Sequence, residues 1–119
     1  MRLARELYVG DSVKELESIV YALRRNLPVA QVYGICQEEG QSPITILPVQ
    51  ELVRPPYVGR DFVVYGLALH KREAYGLFAQ IIEEAREAGW PVARLGEYLA
   101  QTQKAAGTDA EPAAEEKAL

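Results

Sequence analysis

The chain predicts an α/β fold of the α+β type: an open, mainly antiparallel β-sheet with two main helices on one face and a short helix at the carboxyl end. Three observations carry that expectation. Val32-Tyr33-Gly34-Ile35-Cys36 and Val64-Tyr65-Gly66-Leu67-Ala68-Leu69-His70 are near copies of one strand-like run, rich in β-branched and aromatic residues. Two other stretches, beginning near Val13 and Lys71, repeat apolar residues at steps of three and four, the period of a helix buried on one side. The elements then follow one another as β-α-β-β-β-α.

Glu6-Leu7-Tyr8-Val9 is short and β-prone, and it stops at the turn residues Gly10-Asp11-Ser12. Ser12-Val13-Lys14-Glu15 has the spacing of a capping box, in which a hydroxyl and a carboxylate satisfy each other's backbone donors. The helix it would open buries Val13, Leu16, Ile19, Val20, Leu23 and Leu27, and Asn26 with Pro28 closes it. A strand over Val29 to Gln37 follows, and Glu38 to Pro43 turns the chain back into Ile44-Thr45-Ile46-Leu47. Pro48 lacks a ladder donor, so this strand belongs at a sheet edge or breaks there.

Arg54-Pro55-Pro56-Tyr57-Val58-Gly59-Arg60 reads as a stiff surface loop leading into the strongest strand, Asp61 to His70. Lys71 to Ala88 forms the second helix, with Ala74, Tyr75, Leu77, Phe78, Ile81, Ile82 and Ala85 on its broad apolar face. Gly89 is placed to leave the helix in the left-handed region, Trp90 to fold back on the last turn, and Pro91 to prevent continuation. Pro91-Val92-Ala93 is read as a brief strand. Residues 1–93 form a single domain, 94–106 a short amphipathic helix, and 107–119 a disordered acidic and alanine-rich tail. The order of elements resembles the ferredoxin-like plan with an extra strand, which implies a fold and no function.

Alternation across a strand puts Tyr33 and Ile35 on one face, and Val32, Gly34 and Cys36 on the other. The second run splits likewise into a bulky set, Tyr65, Leu67 and Leu69, and a small set, Val64, Gly66, Ala68 and His70. The strand glycines predict a close visitor on the small face, a helix approaching through Gly76 or Ala74. Both faces are apolar, whereas a two-helix open sheet covers one. The bulky residues Tyr33, Ile35, Tyr65, Leu67 and Leu69 therefore need a cover, either the third helix folding back or, as the preferred reading, a second copy of the chain in a homodimer.

Composition narrows the function classes. With 49% apolar and 25% charged residues the chain is of ordinary globular make-up. Its net charge of −4 and the lack of a basic stripe argue against nucleic acid as a partner. The longest apolar run, Phe62 to Leu69, is too short to cross a bilayer, so no membrane partner is expected. A lone Cys36 excludes an internal disulfide framework and suits a reducing, cytoplasmic setting.

Candidate chemistry is sparse. Cys36 and His70 share strand parity and would approach each other on neighbouring strands, the minimum for a thiolate–imidazole pair, yet no orienting third group or oxyanion loop is legible. A metal would need Glu38 or Glu39 beside them, without ligand-type spacing, and no cofactor is expected. Arg54, Tyr57 and Arg60 make a rigid cationic spot suited to a small anionic ligand or an acidic protein segment. The sequence thus points to a non-enzymatic binding module, sensing a ligand or serving an assembly as a homo-oligomer. The alternatives are a small enzyme using Cys36 and His70, or a structural subunit of a larger complex.

Overall fold

A computed structural model describes residues 1–38 and 43–107; the hairpin loop from Glu39 to Ser42 and the tail from Thr108 lie outside the described residues. The elements are β1 (Arg2–Val9), α1 (Leu16–Arg24), β2 (Tyr33–Glu38), β3 (Thr45–Pro48), β4 (Phe62–Ala68), α2 (Lys71–Glu87) and α3 (Leu95–Gly107). Short 3-10 turns occupy Val49–Val53 and Val92–Arg94, the second in place of the expected brief strand. The four strands make one mixed sheet in the order β1-β4-β2-β3. β1 runs parallel to β4, and the β4–β2 and β2–β3 pairs are antiparallel. Among the described residues no helix is long and apolar enough to cross a membrane.

The ends of α1 and α2 follow from local chemistry. After α1, Asn26 takes φ 57°, and the N–H groups of Asn26 and Leu27 return to the carbonyls of Leu23 and Ala22. After α2, Gly89 takes φ 90°, and the N–H groups of Gly89 and Trp90 return to Arg86 and Ala85. Both are six-to-one closures that need a residue tolerant of the left-handed region at the turn. The start of α1 differs from the sequence expectation. The helix begins at Leu16 after Glu15, with no side-chain cap, because Ser12 is engaged elsewhere. β2 also starts later than expected, since Gln31 at φ 64° interrupts the extended backbone.

Pro48 does sit on an edge strand, and the register explains why it is tolerated. The Val49 N–H donates to the Val32 carbonyl, which makes Tyr33 and Pro48 a pair whose ladder groups point away from each other. The missing donor therefore faces the open edge, where it also discourages pairing with another strand. On the opposite edge, β1 carries Arg5 and Glu6 in mid-strand, both exposed.

The helices divide between the two faces, which corrects the expectation of both main helices on one. α1 contributes Leu23, with Leu16, Ile19 and Val20, to a core containing Leu3, Cys36, Val49, Leu52, Val64 and Leu67. α2 and α3 contribute Ile81, Ala85, Leu95 and Leu99 to a second core around Ala4, Ile35, Val63 and Tyr65. The apolar run on both sides of the strands is thus satisfied within one chain. Ile35, Tyr65 and Leu67 are buried, and Tyr33 and Leu69 half-buried. Ile35 and Tyr65, two of the residues expected to await a second copy, are covered by α2 and α3.

Tyr65 is the residue that breaks the assumed parity. Ile35 pairs with Gly66 and Cys36 with Val64, so Tyr65 is the extra residue of β4 between two successive registered pairs. Toward β1, the single Tyr65 lies opposite the stretch between Leu3 and Tyr8. A bulge of this kind turns two successive side chains to the same side. Tyr65 and Gly66 both face α2 and α3, and Leu67 returns to the α1 core. The supposed bulky set is therefore split: Ile35 and Tyr65 on one face, Leu67 and Leu69 on the other. The visitors at the glycines are not helices either. A Cβ at Gly34 would lie 2.8 Å from Val49 Cγ1, one at Gly66 would lie 3.1 Å from Ile35 Cδ1, and Gly76 meets nothing within 4 Å.

Candidate functional site

β1 and β4 are adjacent and parallel, and the helices that follow them leave to opposite faces of the sheet. Their carboxyl ends therefore diverge, which in open α/β sheets is where ligands settle. Here the rim is Gly10-Asp11-Ser12 after β1 and Leu69-His70 before α2. Gly10 is held against β4 by its N–H to the Leu67 carbonyl at 2.9 Å.

Glu73 bridges the divergence. Its carboxylate accepts from the Ser12 N–H at 3.0 Å, from the Ser12 hydroxyl, and from the Leu69 N–H at 3.4 Å. Ser12 Oγ in turn lies 3.3 Å from the Leu69 nitrogen. A Cβ on Gly10 would overlap this carboxylate, so any other residue there would displace the Glu73 side chain from its present position. The Ser12 hydroxyl, then its backbone N–H, hold the Glu73 carboxyl below the usual glutamate range, the effect of hydrogen bonds to the charged form. Asp11 and His70 are exposed on the same rim. His70 occupies the N-cap position of α2 without a side-chain cap, and its carbonyl accepts from Ala74 at 3.0 Å.

Glu73 is a residue of this rim that the sequence reading did not single out. It stands at the third helical position, where a carboxylate reaching back is a known helix-start signal. Its partner Ser12 is 61 residues away, so no local pattern joins them.

The structure separates the other candidates. Cys36 is fully buried on the α1 face, and burial pushes its thiol up to about 12. It pairs with Val64, six residues before His70, which at the rise of a strand sets the two about 15–20 Å apart. The expected approach of thiol and imidazole does not occur, because parity is shared but position along the sheet is not. Glu38, one of the suggested metal helpers, is bound to Arg60, and Glu39 lies outside the described residues.

The Arg54–Arg60 loop is partly committed to the fold. Arg60 grips Glu38 with two donors, at 2.7 and 2.5 Å, and its guanidinium lies over the rings of Tyr57 and Phe62. Those rings meet edge to face at 5.5 Å. The next residue, Asp61, takes two donors from Arg2 at 3.1 and 3.2 Å. The amino end of β4 is thus clamped to both neighbouring strands. Arg54 remains exposed, and its carbonyl turns the loop by accepting from Tyr57 and Val58.

Comparison with known protein families, with curated proteins and with solved structures finds no match to this chain.

Proposed function

We propose that the chain is a small non-enzymatic binding module of the cytoplasm, sensing a ligand or serving an assembly, and that it takes a small polar ligand at the carboxyl ends of β1 and β4. The observation that carries this reading is the departure of α1 and α2 from adjacent parallel strands onto opposite faces. Asp11 and His70 supply exposed polar groups on that rim, and the loop between them is held in place by Glu73. Covalent chemistry through Cys36 is the weaker reading, since the buried thiol resists ionisation and stands apart from the imidazole. The kinship with the ferredoxin-like plan, resting on element order, belongs to the same proposal.

Titrating the isotope-labelled full chain with a panel of small polar metabolites tests it by chemical-shift mapping. Shifts at residues 10–12 and 69–73 are expected. Shifts confined to residues 54–60 would move the site to the cationic loop. Hydrolysis of an activated ester that disappears in Cys36→Ser would overturn the binding reading in favour of catalysis.

A further inference from the structure

The outer face of α2 carries a feature without a packing role among the described residues. Gly76 sits in the helix interior, is exposed, and has open space where a Cβ would stand. Glycine weakens a helix at such a position, and its benefit is close approach by another backbone. Arg72, Gly76, Ala79 and Glu83 are all exposed and follow one another at helical steps of four, three and four. They form a stripe opposite the buried Ala74, Ile81 and Ala85, small at its centre and charged at its two ends. Tyr75 flanks it, 55% exposed.

Charge along this face is divided by position. Lys71 and Arg72 lie at the amino end, whereas Glu83 and Glu87 lie toward the carboxyl end, where Arg86 pairs with Glu83 at 2.9 Å. A two-fold axis midway between Gly76 and Ala79 sets Gly76 opposite Ala79 of a second copy, small residue against small residue. The same axis sets Arg72 opposite the second copy's Glu83, and does so twice, because the two positions are equidistant from the midpoint. The stripe is self-complementary in both size and charge, as an isologous interface must be.

We propose that this protein forms a homodimer by antiparallel packing of α2 against the α2 of a second copy, centred on Gly76 and Ala79 and fixed by reciprocal Arg72–Glu83 pairs. The interface lies away from the buried sheet residues and leaves the rim at Asp11 and His70 outside the contact centre. It does not depend on the ligand reading above.

Sedimentation equilibrium of the full chain, up to about 1 mM, tests the proposal. A dimer weakened by high salt is expected. Arg72→Glu or Glu83→Arg alone should raise the dissociation constant roughly tenfold or more, since like charges then face each other twice. The double variant Arg72→Glu with Glu83→Arg should restore association to near the parent value. Gly76→Leu should also weaken it, by holding the helices apart. Circular dichroism confirms that each exposed variant keeps its fold. A parent chain that stays monomeric over the whole range overturns the proposal, and so does a dimer indifferent to the single reversals.

Discussion

The two faces of the sheet are covered in different ways. On one side a nine-residue helix, α1, shares the work with the 3-10 turn at Val49–Val53, and the core includes Cys36. On the other, the seventeen residues of α2 and the thirteen of α3 lie side by side over Ile35, Val63 and Tyr65. The second face has extra polar ties as well. Tyr8 donates to Glu84 at 2.7 Å, and burial together with that carboxylate pushes the phenol well above its ordinary value. Trp90 packs edge to face on Tyr98 at 5.9 Å, and Gln37 lies over Gly96 at the start of α3. The lesson is that the thinner cover guards the thiol, so Cys36 reports on one face specifically.

That contrast is sharpest with one deletion on each side. Leu23 and Leu99 are each at most 1% exposed, and truncating either to alanine is expected to cost about 2–5 kcal/mol in denaturant unfolding. Their local effects should differ. Leu23→Ala should speed alkylation of Cys36 under native conditions through opening of the α1 face, whereas Leu99→Ala should accelerate amide exchange around Ala4 and Ile35 with little change at the thiol. Equal acceleration of Cys36 by both variants would mean that the two cores open as one unit.

A smaller effect is expected at the close approach on the α1 face. Gly34→Ala puts a methyl 2.8 Å from Val49 Cγ1, so the 3-10 turn must shift, at a cost of about 1–3 kcal/mol. An unchanged denaturant midpoint would show that the Val49–Val53 turn yields freely and adds little to this cover.

The smallest expected effect concerns the bridge between the two sides. The folded-state value of Glu73 is lowered, so its contribution is present above the ordinary glutamate value, about 4.3, and is lost as pH falls through the folded value. Glu73→Gln should therefore flatten the acid limb of the stability curve below that value and leave the shape of its alkaline side unchanged. An acid limb identical to the parent's would remove Glu73 from the set of groups that couple the β1–α1 loop to α2.

Much of the fold is legible in local residues. Asn26 and Gly89 mark helix ends because only a few residues tolerate the left-handed turn, and Pro48 marks an edge because it lacks a donor. The apolar composition of both strand faces also shows that two covers are needed. What local pattern does not carry is the identity of partners across the chain. Ser12 looks like a helix cap because its capping-box neighbour is three residues away, yet its hydrogen bonds go to Glu73. Arg60 looks available to a ligand until Glu38 is found against it. Cys36 and His70 share parity on paper, but the register sets them at different heights in the sheet.

The sequence by itself determined the α+β character of the chain, the carboxyl ends of α1 and α2 and the edge position of Pro48, because helical period, turn residues and the missing proline donor act within a few residues. Tertiary structure alone decided that α1 and α2 take opposite faces, that Tyr65 forms a bulge exchanging the side of Leu67, and that Glu73 closes the space between β1 and β4. Those outcomes depend on strand order and register. Both are set by which distant side chains pack together, and no short-range pattern specifies them.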